Sequence, residues 1–204
     1  GETSFIGATP EGLACVDHGK LNVACLASSA ARGSNPEDDR QLQAQLFGSQ
    51  KERAEHRAVT EMVASVLKDM CRELSYDIEP QLLKLKNIQH LHTCFTGNLP
   101  PGIGILDIVK RLHPTPAVAG TPTEQGLKLI SELEGDRGWY AAPVGWLDMN
   151  GEGEFAVAIR SALIDGDKAF LYAGCGIVAG SDPEREYQET ELKFEPLLTA
   201  LGWH

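Results

Sequence analysis

The spacing of apolar and polar positions changes repeatedly along this chain, and each change predicts an element. TSFIG (3–7), ACVD (14–17) and LNVACLA (21–27) read as strands, and the turn at His18-Gly19 makes a hairpin of the last two. The next stretch, AARGSNPEDD, holds Gly33, Pro36 and an acidic run that break any period and offer caps to a following helix. From about Arg40 to Leu74 the spacing becomes helical, with Val59, Met62, Val63, Val66, Leu67 and Met70 on one stripe. NIQHLHTCFTG alternates in part and is rich in strand-forming types, whereas ILDIVKRL predicts a short helix that the prolines of HPTPAVAGTP end. TEQGLKLISELE restores helical spacing. Three strand-like runs follow, GWYAAPVGWLDM, EFAVAIRSALID and KAFLYAGCGIV, joined by turns at Asn150-Gly151 and Asp165-Gly166. They predict an antiparallel meander. The last helix has the best-specified start: Ser181 or Asp182 as cap, Pro183 in the first turn and Glu184 completing a Ser-x-x-Glu box. Its apolar contacts are expected from Phe194, Leu197, Leu198 and Leu201.

Two predicted helices carry a Glu-x-x-Glu pair, Glu52/Glu55 and Glu186/Glu189, and this spacing puts both members of a pair on one face. Alone, each pair reads as solvated helix decoration. Glu55, however, falls on the apolar stripe one turn before Val59, where a carboxylate is costly unless paired or bound to a cation. Two such helices brought together would offer the all-oxygen donors that Mg²⁺ prefers. Arg160 poses the converse case, a guanidinium inside the apolar run AVAIRSAL that calls for a carboxylate from the protein or a ligand. Gly174 and Gly176, just before a capped helix, mark a place where main-chain N–H groups can meet an anion or merely make a tight turn.

Composition narrows the partners. With 42% hydrophobic and 23% charged residues in 204, the chain is expected to form one globular domain, 1–204. A net charge of -11 argues against nucleic acid or an anionic membrane as main partner, so an anionic ligand needs a local basic or metal-containing pocket. No apolar stretch is long enough to span a bilayer, and the start lacks the pattern of a secretory signal. Five cysteines without Cys-x-x-Cys spacing disfavour a zinc site or a disulfide framework and point to a reducing, cytoplasmic setting, or a plastid stroma in a photosynthetic eukaryote.

Six segments in order, FIGATPE, SQKERAEH, LHPTPAVAGTP, RGWYAAPVGW, AIRSAL and AGCGIVAGSDPEREYQETELK, make the whole chain resemble the chorismate-utilising enzymes, within them the isochorismate synthase branch. The resemblance implies an α+β chorismate-binding fold like that of anthranilate synthase component I, mostly antiparallel sheets with outer helices. It also implies the isomerisation of chorismate to isochorismate, by water addition at C2 and loss of the C4 hydroxyl. By the same resemblance Glu55 and Glu189 look like direct Mg²⁺ ligands, with Glu52 and Glu186 reaching the ion directly or through water. Tyr140, Arg160, Gly174, Gly176 and Lys193 match positions that grip the substrate's carboxylates, and His113 matches a pocket histidine that orients it. Glu11 matches the general acid. Ser28 stands near the expected substrate ring where the family usually has glycine, and Cys175 replaces a small residue between the two glycines.

The family's water-activating lysine lies upstream of the TPE motif, before the start of this sequence. The chain is therefore expected to be the C-terminal portion of the family's domain, incomplete at its N-terminus, with a complementary half or a second copy as partner. Three outcomes follow for function: an active Mg²⁺-dependent enzyme when joined to that half, a silent remnant, or a salicylate synthase that also eliminates pyruvate.

Overall fold

The structure is a computed structural model, and it describes residues 3–203. In chain order it forms β1 (Thr3–Gly7), β2 (Gly12–Asp17), β3 (Lys20–Ala31), α1 (Pro36–Gly48), α2 (Gln50–Lys68), β4 (Arg72–Tyr76), β5 (Gln81–Lys84) and β6 (Ile88–Asn98). There follow α3 (Ile105–Leu112), α4 (Pro116–Ala119), α5 (Thr123–Glu134), β7 (Pro143–Leu147), β8 (Gly153–Val157), β9 (Ser161–Asp165), β10 (Lys168–Tyr172) and α6 (Pro183–Ala200). Two compact units divide these elements: residues 11–117 with 143–156, and, of the described residues, 3–10, 118–142 and 157–203. No helix is long and apolar enough to cross a membrane among the described residues.

The larger unit is built on a seven-stranded sheet in the order β4-β6-β3-β2-β8-β7, with β5 also paired to β6. Its centre is the long antiparallel pair β3 and β6, from Lys20 opposite Asn98 to Ala31 opposite Ile88. Alternation sends Leu21, Val23 and Cys25 of β3 and Leu91, Thr93 and Phe95 of β6 inward. Val59, Val63 and Leu67 of α2, and Ile105, Ile108 and Leu112 of α3, add to the same buried set. Leu67, Leu91 and Ile108 are 0% exposed, each contributing roughly 1.5–3 kcal/mol of burial. The smaller unit holds a three-stranded antiparallel sheet, β1-β9-β10, together with α5 and α6.

Four expectations are corrected here. The helix predicted from about Arg40 to Leu74 is two helices: Asn35 caps α1, and after Gly48 the side chain of Ser49 caps α2 by accepting from the Glu52 N–H. Glycine followed by a capping serine ends one helix and starts another, which a stripe counted downstream of Val59 cannot register. Leu74 lies in β4 instead. The meander is divided between the two sheets: β7 and β8 belong to one and β9 and β10 to the other, and Arg160 stands between strands with φ 49°, not within one. The loop expected from Ala30 begins two residues later, because β3 runs to Ala31. Finally, Asp182 alone caps α6, accepting from the Arg185 N–H, while the Ser181 hydroxyl accepts from Val178 N–H, so no Ser-x-x-Glu box forms.

Candidate functional site

In the larger unit the start of α2 is bolted to a distortion in β3. The pairing of β3 with β6 slips between Ala27 and Ser29, and Ser28, nearly buried, takes a left-handed φ of 62°. Bulges of this kind re-aim a side chain. Ser28 Oγ donates to the Glu52 carbonyl at 2.8 Å. One turn on, His56 is 3% exposed and its Nε2 lies 2.9 Å from Thr93 Oγ1 of β6. Burial pushes this imidazole down to about 4, against the nearby Ala27 backbone, which favours the charged form. A neutral His56 therefore sits between the bulge and β6. Glu52 and Glu55, both half-buried, ride on the same turns.

Glu11, also half-buried, precedes β2 and lines a small pocket with Cys25, Leu112 and Thr115. Burial first, and then the nearby Glu11 and Cys94, push the Cys25 thiol up to about 12. His113 follows α3, where its N–H donates to the Val109 carbonyl at 2.9 Å and its ring is half-buried. At the hairpin tip Asp17, His18 and Glu152 bring their ligand atoms within 4.8 Å of one another. That group is exposed at its hairpin residues, and Glu152 already accepts from the Gly19 N–H.

The smaller unit gathers the remaining candidates around one loop. Lys193 of α6 donates to the Gly174 carbonyl at 2.9 Å and pairs with Glu189 at 2.6 Å, its side chain only 12% exposed. A side chain on Gly174 would come within 2.9 Å of the Tyr140 hydroxyl, so glycine lets the loop approach that ring. Tyr140 stacks on Tyr172 at 5.6 Å, and Arg137 lies over its ring. Burial raises the Tyr140 phenol, while Arg137 and Arg160 pull the other way, so both guanidinium groups are near it. Arg160 is buried at 4% and its carbonyl accepts from Ala8 N–H. Glu186, whose pair taken alone reads as solvated helix decoration, is instead 9% exposed. Cys175, between the two glycines, donates to the Glu186 carbonyl and its thiol is raised to about 11, by burial first and then by its hydrogen bond to Glu186 and the charges of Glu186 and Glu189. Tyr140, Arg160, Gly174, Glu186, Glu189 and Lys193 thus converge. Gly176 lies in the same irregular segment.

This combination, buried cationic and phenolic donors beside helix carboxylates, follows the order of one family's motifs, and a sequence profile described as chorismate binding enzyme matches residues 1–202. The chain belongs to the chorismate-binding enzymes. Within that family it is 46% identical over 200 residues to "Isochorismate synthase MenF" of Bacillus subtilis, a match covering 98% of this chain and 42% of the relative. It is 43% identical to "Salicylate biosynthesis isochorismate synthase" of Pseudomonas aeruginosa, over 99% of this chain and 43% of the relative. The solved structure of DhbC from Bacillus anthracis superposes with a TM-score of 0.95 at 38% identity, over 99% of this chain and 55% of that one. Anthranilate synthase component I from Streptococcus pneumoniae superposes at 0.82 and 30% identity, over 96% of this chain and 43% of that one. The α+β chorismate-binding fold is therefore established, and the chain spans about half the length of the relatives it matches.

His56 and Thr115 were missed by sequence reasoning. His56 stands three residues before Val59, on the same stripe, so helical spacing alone could have marked it as buried. Nothing in the local sequence marks Thr115.

Proposed function

We propose that the protein carrying this chain is a Mg²⁺-dependent isochorismate synthase. The observation that carries the reading is the convergence of Tyr140, Arg160, Gly174 and Lys193 beside Glu186 and Glu189, which lets an anion and a cation be held side by side. The donor chemistry fits the ion, since Glu52 and Glu55 on α2 offer only hard oxygens, as do Glu186 and Glu189 on α6. Mg²⁺, when bound, supplies charge neutralisation and orientation for the ring carboxylate of chorismate.

The chain's own residues do the rest. Arg160 and Lys193 hold the substrate's carboxylates as charged donors, and Tyr140 and the main chain of the Gly174 to Gly176 loop complete the grip. His113 orients the ring. Ser28, at its distorted place in β3, fixes how closely the first turn of α2 approaches the sheet. Glu11 delivers a proton to the departing C4 hydroxyl from a pocket otherwise lined mainly by apolar side chains. We assign the base that activates the attacking water to a lysine outside residues 1–204, as the family resemblance expects.

Water adds at C2, the double bonds shift, and the C4 oxygen leaves as water with the proton from Glu11. Atoms balance without redox change. The test is chromatographic: the purified protein is given chorismate with Mg²⁺ or with a chelator. Isochorismate formed only with Mg²⁺ is the expected result. Release of pyruvate and salicylate would move the assignment to salicylate synthase, and no consumption of chorismate would refute activity.

A further inference from the structure

We infer that Thr115 is a positioning residue for Glu11, and that the two groups share one buried water; this rests on the reading of Glu11 as general acid. Thr115 is 5% exposed and its Oγ1 has no hydrogen-bond partner among the described residues. A buried hydroxyl without a partner is rare, because it forfeits hydrogen bonds to water without replacement. Thr115 lines a pocket whose walls include Leu26, Val63 and Leu112, and whose other polar side chains are Glu11 and Cys25.

Space decides between direct and bridged contact. The pocket leaves a cavity of about 10 Å³, close to the least that accommodates the centre of one water. Such a water needs at least two polar partners. Thr115 offers a donor and an acceptor, and Glu11 offers carboxyl oxygens. Glu11 and Thr115 line this one small pocket together with Cys25, whose thiol the Glu11 charge helps to raise. A carboxyl held by a single water against a fixed hydroxyl keeps one rotamer, as a proton donor must.

The test has a structural and a kinetic arm. In a high-resolution crystal structure of the wild-type protein, a water within hydrogen-bond distance of both Thr115 Oγ1 and a Glu11 carboxyl oxygen is expected. The near-isosteric Thr115→Val should lose that water, and Thr115→Ser should keep it. Kinetically, Thr115→Val should lower kcat about tenfold, within the contribution of a general acid, leaving KM for chorismate unchanged, and Thr115→Ser should restore most of the rate. Thermal melting checks that both variants fold, and should Thr115→Val fail to do so, the wild-type density and Thr115→Ser carry the test. A dry pocket, a Glu11 carboxyl turned away, or an unchanged kcat in Thr115→Val overturns the inference. If the water is present but the wild-type protein makes no isochorismate, the functional assignment falls while the Thr115–water–Glu11 arrangement is upheld.

Discussion

The hydroxyl of Ser28 donates to the main-chain carbonyl of Glu52 at 2.8 Å, so a distortion in a central strand is tied to the first turn of the helix that bears Glu52 and Glu55. Strand β3 and helix α2 are thereby held in one register where the carboxylates emerge. A non-glycine residue in the left-handed region is strained, and this bond offsets part of that strain.

Ser28→Ala should therefore cost about 1 kcal/mol, the usual net worth of such a bond. Ser28→Gly should cost less, because glycine relieves the backbone strain as it loses the bond. Chemical denaturation of the three proteins checks this. Equal midpoints for Ser28→Ala and wild type would show that the bond does not hold the bulge.

The acid side of the stability profile should depend on Asp39. Its carboxylate accepts from Arg32 at 2.7 Å, Lys84 at 2.9 Å and the Gly33 N–H at 3.0 Å, linking α1 to the end of β3 and to β5. Those hydrogen bonds, Arg32 first, hold its carboxyl well below the usual carboxylate range. Because the folded state binds the proton less readily, the stabilisation is complete above about pH 4, the unfolded value. It is lost as pH falls toward the lower folded value. Asp39→Asn should flatten the decline in unfolding free energy below pH 4. An unchanged acid slope would contradict this assignment.

Thiol chemistry should separate two cysteines on the paired strands β3 and β6. Cys25 is buried with its thiol raised to about 12, so almost no thiolate exists near pH 8, whereas Cys94 is exposed. Alkylation at pH 8 should modify Cys94 at least tenfold faster, as read by peptide mass spectrometry. Comparable rates would mean that the pocket beside Glu11 opens to solvent.

Much of the fold was legible because period and punctuation agree in it. The hairpin of β2 and β3, strand β6, helices α3 and α5 and the start of α6 all have a clear apolar spacing with turn or capping residues at their ends. What escaped depends on tertiary context. β5 is four residues long and owes its strand character to pairing with β6, and the change of sheet after Val157 turns on the backbone at Arg160. The site residues were legible as an ordered set of motifs, not as geometry. Nothing in the linear pattern marks that Glu186 is buried, that Lys193 reaches the Gly174 carbonyl, or that Thr115 faces the pocket of Glu11.

The two ligand classes should separate by mutation. Glu189→Gln removes a carboxylate assigned to the cation, so the Mg²⁺ concentration giving half-maximal chorismate binding should rise at least tenfold, about 1.4 kcal/mol. Lys193→Met should weaken chorismate by a similar factor and leave the Mg²⁺ requirement in place. Calorimetric titration resolves the two. Identical effects of both variants on both ligands would dissolve the division of labour between carboxylates and cations.

The central claim is that water enters at C2 while the C4 hydroxyl departs, and solvent labelling tests it most directly. Chorismate is converted in ¹⁸O-enriched water with Mg²⁺, and the product is analysed by mass spectrometry and ¹³C NMR. The account predicts isochorismate carrying one solvent oxygen, bonded to C2. Unlabelled isochorismate, which would mean transfer of the original hydroxyl within the molecule, or no isochorismate at all, would contradict it.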